Sequence, residues 1–183
     1  MGNHHLVLGE LIDFLTGVIR VDTHDERYRQ KIARFLVDQK GFAKEQIESL
    51  RPLTVIAGDN RGQVKIDFCI RLAGKIGMIV KYGPGSLVTR YRPTLALTRL
   101  VAPYQIPIAV VTNGKDAHVL DGKKGDLISQ GLVSIPSARH LHAIIKAAAL
   151  NKISSKRAEM EARIVYCYEI DDSCPCDDTV CKL

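Results

Sequence analysis

The sequence predicts a mixed α/β (α+β) domain, and three stretches carry that prediction. THDERYRQKIARFLVDQKG (23–41) has its apolar residues at helical spacing. QVKIDFCIRLAGKIGMIVKYGPG (63–85) alternates with period 2 on both sides of a Gly-containing turn, as two paired strands do. IPIAVVTN (106–113) is a near-continuous apolar run, the pattern of a strand covered on both faces. Taken in order, the chain reads α-β-β-β-α-β, followed by a C-terminal helical extension and a Cys-rich tail.

Residues 6–20 (LVLGELIDFLTGVIR) form an apolar lead-in whose pattern leaves its type open. The N-terminal twenty residues either add an outer helix to the sheet or form a contact in a homodimer. In the first helix Thr23 is the expected N-cap, with Glu26 three residues on completing a capping box. Tyr28, Ile32, Phe35 and Leu36 share one side, Arg29, Lys31, Arg34 and Asp38 the other, and Gly41 fits C′. AKEQIESLRP leads to a strand around Leu53–Ala57, GDNRG turns the chain, and the two central strands follow, making a β-meander.

After Gly83-Pro84-Gly85 comes SLVTRYRPTLALTRLVAPY. Pro93 either stands in the first turn of a helix there or kinks a longer one. Leu97, Leu100 and Val101 give it an apolar side, and Arg90, Arg92 and Arg99 are candidates for an exposed, nucleic-acid-binding side. Asn113-Gly114 signals a turn into the strand DAHVLD. Residues 127–135 carry no clear pattern, and two helical stretches follow, ARHLHAIIKAAAL and SSKRAEMEARIVYCYEI. The organisation is thus a main domain with its N-terminal extension (1–135), a helical region (136–168) and an acidic, Cys-rich tail (167–183).

Hydrophobic content of 46% and charged content of 25% suit a globular chain. No apolar run reaches the roughly 18–20 residues of a membrane span. The start lacks a basic segment and cleavage site, so a cytoplasmic location without membrane contact is expected. Net charge is +6, but residues 169–183 hold five acids and one base, which leaves +10 on residues 1–168. A basic body suits a polyanion such as nucleic acid, or is simply a solvated basic surface. Few aromatics and no Trp argue against a base-stacking platform.

Within the central strand pair, Asp67 and Lys81 interrupt apolar runs. Such charges are costly to bury unless paired, metal-bound or placed at a cleft. They are therefore either a structural ion pair at the sheet end or the heart of a site. Glu26 is likewise either the capping-box acid or a site residue.

These residues resemble a known group. An Asp on the second strand and x-x-Lys on the third, within this element order, look like the restriction-endonuclease fold with its PD-(D/E)xK signature. Within that group the chain resembles the N-terminal domain of type I restriction enzyme R subunits. The matching pieces are Thr23-His24-Asp25-Glu26-Arg27, Lys40-Gly41-Phe42, Lys65-Ile66-Asp67-Phe68, Val80-Lys81 and Thr112-Asn113-Gly114, over roughly 20–135. The resemblance implies a Mg²⁺-dependent endonuclease, a DNA phosphodiester hydrolase, working in restriction-modification with DNA and other restriction-system subunits. It implies Asp67 as metal ligand, Lys81 as the residue that orients the attacking water, and Glu26 as an acid near the site. Mg²⁺ is a hard cation that takes oxygen ligands. One position departs from the pattern, because the D/E of D/E-x-K falls on Ile79. Either another acid such as Glu48 or Asp59 replaces it, or the site is dead. A dead site would leave a non-catalytic binding or scaffold module.

Cys167, Cys174, Cys176 and Cys181 fall within fifteen residues. Close cysteines in a cytoplasmic chain suit Zn²⁺ or an iron–sulfur cluster, with a disulfide or redox role, or no cofactor, as alternatives. Cys69 reads as a core residue. The six histidines show no ligand spacing and read as surface or structural groups.

Overall fold

The structure is a computed structural model that describes residues 7–170. Among these it contains a six-stranded sheet, a separate two-stranded hairpin and four α-helices. The apolar lead-in is the hairpin, β1 (Gly9–Ile12) and β2 (Ile19–Asp22), rather than an outer helix. Asp13 determines this. Its carboxylate accepts hydrogen bonds from the backbone of Leu15 and Thr16 at the turn and pairs with Arg20 at 2.7 Å. Period-2 pairing then sends Ile12, Ile19 and Val21 to solvent, and Val18 before β2 is exposed as well.

Helix α1 (His24–Asp38) begins at Thr23, whose hydroxyl accepts from the Glu26 N–H at 3.1 Å. Only that half of the capping box forms, because the Glu26 carboxylate turns to Arg29 and Gln30 instead. Ile32, Ala33 and Leu36 are buried as the helical spacing requires. The sheet then runs β3 (Ile47–Ala57), β4 (Asn60–Leu72), β5 (Lys75–Tyr82), β6 (Ile108–Thr112), β7 (Ala117–Asp121) and β8 (Leu127–Gln130), in that spatial order. All neighbours are antiparallel except β5 and β6, which are parallel and joined by a crossover through α2 (Tyr91–Leu97). Pro93 lies in the first turn of α2, where its missing N–H costs nothing. The weakly patterned stretch after residue 126 supplies edge strand β8.

Helices α1 and α3 (Ala138–Ala147) cover one face of the sheet, closing on Phe68, Ile70, Met78, Val80 and Val110. Helices α2 and α4 (Ser155–Glu169) cover the other, over Cys69, Ile79, Ala109 and Leu120. Alternate residues of β4 and β5 thus serve two cores, which is why apolar residues on both faces fill Phe68–Ile70 and Ile76–Val80 while Asp67 and Lys81 stand out from them. Helix α3 comes close to β5 at Gly77, where a Cβ would collide with Ile145. Cys69 is fully buried in the α2/α4 core as a small apolar residue, and burial pushes its thiol pKa up to about 12. No helix among the described residues is long and apolar enough to cross a membrane.

Candidate functional site: an acid–lysine cleft

Asp67 on β4 and Lys81 on β5 are both buried and face the same cleft. The antiparallel register sets Phe68 against Val80, which brings their flanking residues together. Across β4 on the other side, the pairing passes from Ser49↔Phe68 to Arg51↔Ile66. Leu50, at φ +50°, stands opposite Asp67 without a ladder pairing, so the register is kept but the ladder is interrupted there. A non-Gly residue in the left-handed region is held there at a cost, and such strained positions gather beside functional sites. Leu50 lines the cleft.

The Lys81 ammonium has three acceptors: the Lys65 carbonyl at 3.0 Å, Glu169 Oε2 at 3.0 Å and Asp67 Oδ2 at 3.5 Å. Burial alone would lower its pKa, but the charges of Asp67 and Glu169 outweigh that and the net shift is upward. Lys81 is therefore held as a cation and is not a proton acceptor at neutral pH. Asp67 Oδ2 also accepts the Tyr82 N–H at 3.0 Å, and the Tyr82 hydroxyl donates to Asp25 at 3.0 Å. Tyr82 stacks on Tyr28 of α1, so one aromatic ring ties the helix start to the site acid.

Arg29 stands on what the sequence presents as the solvated side of α1. Here it reaches over the cleft, with Nε 3.8 Å from Asp67 Oδ1 and an ion pair to Glu26. Burial pulls its pKa down while Asp67 opposes the shift, and a guanidinium stays charged regardless. Glu26 is buried against Arg29 and Gln30, whereas its neighbour Asp25 lines the cleft.

The three arginines proposed for one exposed face separate. Arg90 lines the cleft above Gly83, where a Cβ would collide with its side chain, and has no carboxylate partner among the described residues. Arg92 and Arg99 both pair with Glu161 of α4, at 2.5 and 3.0 Å. The expectation of an exposed Arg99 is corrected, since its side chain is only 9% accessible. Glu161 is fully buried, and it takes Arg157 as well at 2.6 Å. A buried carboxylate needs such partners, and here Arg92 of α2, Arg99 just after it and Arg157 of α4 itself supply them.

Neither acid suggested as a replacement for residue 79 lines the cleft. Glu48 pairs with Arg51 at 2.8 Å, and Asp59 sits in the β3–β4 turn. Glu169, at the last residue of α4, does line it. Sequence reasoning missed Glu169 because its membership of the acidic C-terminal cluster hid it. Ile79 itself is fully buried in the apolar core. Among the described residues no group of three or more His, Cys, Asp and Glu is placed to hold a metal ion. The cleft nevertheless offers hard oxygen donors in Asp67 and Glu169. That donor set suits Mg²⁺, which binds through one or two carboxylates and completes its shell with water and substrate oxygens. Cys167 is exposed on α4, while Cys174, Cys176 and Cys181 lie outside the described residues.

Fold and cleft together define a mixed α/β domain with an acid–lysine cleft at one end of its central strand pair. Residues 24–136 match the family model described as type I restriction enzyme R protein N terminus, well over half the chain, and the protein belongs to that family. No curated protein and no solved structure matches the chain.

Proposed function

We propose that the cleft between β4 and β5 binds a DNA phosphodiester and hydrolyses it within a type I restriction system. The observation that carries this reading is a buried lysine, held cationic, between carboxylates in an open cleft, on a chain of this family. Four cationic residues, Arg29, Lys65, Lys81 and Arg90, line the cleft, and Arg90, which has no carboxylate partner among the described residues, can meet a phosphate. Lys81 orients the attacking water and stabilises charge developing on the phosphoryl oxygens, because a fixed cation in a partly dry site acts far more strongly than in water. Asp67 is the residue that would hold Mg²⁺, positioned by the Tyr82 N–H. When bound there, Mg²⁺ supplies Lewis-acid neutralisation of the phosphate charge. DNA and other restriction-system subunits are the proposed partners.

Incubation of supercoiled plasmid with the protein and Mg²⁺ tests the reading. Wild type is expected to give nicked circles and Asp67→Asn is expected to give none. Equal cutting by both would remove Asp67 from the chemistry. Ile79, buried where the family pattern places an acid, favours a second reading as a non-catalytic DNA-binding module. That module would bind duplex DNA with a steep salt dependence and cut none.

A further inference from the structure

Ile79 leaves the cleft one carboxylate short of the D/E-x-K pattern, and the end of α4 brings one. Three observations bear on it. Glu169 and Asp67 approach the same ammonium, at 3.0 and 3.5 Å, so both carboxylates already converge on one point of positive charge. The Glu169 side chain is only 6% accessible although it ends a helix. The next residue, Ile170, is buried against Gly62, where a Cβ would collide with it, and this contact pins the end of α4 over β4. A carboxylate at a helix C-terminus is disfavoured by the helix dipole. Nothing in α4 itself accounts for an acid at this position, whereas the cleft does.

We infer that Glu169 replaces the acid missing at residue 79 and, with Asp67, forms a divalent-cation site completed by the C-terminal helix. This rests on reading the cleft as a phosphodiester site. Glu169 lies outside the family-matched segment 24–136, so this chain builds part of its site from an element beyond the family region. Lys81 now bridges the two carboxylates, and the cation would share that role with it.

The test is Mn²⁺ binding to the full chain, followed by loss of the free Mn²⁺ electron paramagnetic resonance signal, with Mg²⁺ competition. Wild type, Glu169→Gln, Glu169→Asp and the control Glu48→Gln are compared. Glu48 lies outside the cleft and pairs with Arg51, so its variant controls for loss of an acid elsewhere, and all four share the same tail cysteines. Glu169→Gln is expected to weaken Mg²⁺-competable Mn²⁺ binding at least tenfold, with Glu48→Gln unchanged. Glu169→Asp, which keeps the charge should Glu169→Gln fold poorly, is expected to bind less tightly than wild type. Binding by Glu169→Gln equal to wild type, or no saturable Mg²⁺-competable binding by wild type, overturns the inference. Plasmid nicking measured in parallel separates the two claims. If wild type cuts and Glu169→Gln both cuts and binds normally, the inference alone fails. If Glu169→Gln loses Mn²⁺ but wild type never cuts, the inference stands and the hydrolytic reading fails.

Discussion

At the residue scale, burial and charge decide each role. Glu161 is fully buried under three arginines, so removing it leaves the buried Arg99 without its carboxylate, held only by Gln105 and the carbonyls of Gly122 and Lys123. Glu161→Ala is expected to cost about 3–5 kcal/mol in urea or thermal unfolding. Arg157→Ala, at a partner nearly half exposed, is expected to cost less than about 1 kcal/mol. The same arithmetic separates the arginines of this region in DNA binding. Arg90→Ala should weaken duplex binding at all sequences and lower the log–log salt slope by about 1. Arg99→Ala should lower stability without changing that slope. An equal slope change in both would mean that Arg99 reaches the phosphates after all. None of this was legible in the sequence, where Arg90, Arg92 and Arg99 look alike. Their partner Glu161 lies far along the chain, and no local pattern announces a long-range ion pair. Asp67 and Lys81 were legible, because a charge inside an alternating apolar strand is conspicuous wherever the strand lies. Arg29 was not, since helical spacing assigns it to the solvent side and only the cleft above α1 gives it a role.

At the scale of elements, the strands and helices with strong periodicity were readable, and the exceptions have physical causes. The N-terminal hairpin escaped because its apolar residues face water rather than a core, so the usual link between apolarity and burial is missing. Its turn depends on one acid. Burial tends to raise the pKa of Asp13, yet hydrogen bonds from Thr16, Arg20 and Gln30 prevail, and it falls from the ordinary 3.8 to about 2. A folded-state pKa below the unfolded one gives stability that is full above the unfolded value. That stability is lost as pH falls through the folded value. Wild type and Asp13→Asn should therefore differ in thermal stability near neutral pH, and the gap should close between pH 4 and pH 2. A gap that persists at pH 2 would assign the effect to the amide's shape rather than to charge. The packing of α3 on β5 was also hidden, because Gly77 in a strand gives no sign of what approaches it. Gly77→Val, which drives a branched side chain into Ile145, is expected to cost about 1–3 kcal/mol in denaturant unfolding.

Across the whole molecule, the sheet holds two cores apart and brings the start of α1, the middle of β4 and the ends of β5 and α4 to one cleft. The segment that carries the family resemblance supplies the lysine, the first acid and the covering arginines, whereas Glu169 comes from the helix that follows it. The order of elements let the fold class be anticipated, but the contact of α4 with the cleft is a product of tertiary packing. Ile170 against Gly62 and Glu161 beneath the arginines fix where that helix ends. On the proposed reading, Lys81, held cationic in this cleft, serves phosphodiester cleavage. Nicking of supercoiled plasmid by wild type and Lys81→Ala, each with Mg²⁺ and with a chelator, tests it most directly. Cutting is expected only by wild type with Mg²⁺, with a loss of at least about a hundredfold in Lys81→Ala, the scale of a lost transition-state contact. Cutting that survives Lys81→Ala or the chelator, or that never occurs in wild type, would contradict it.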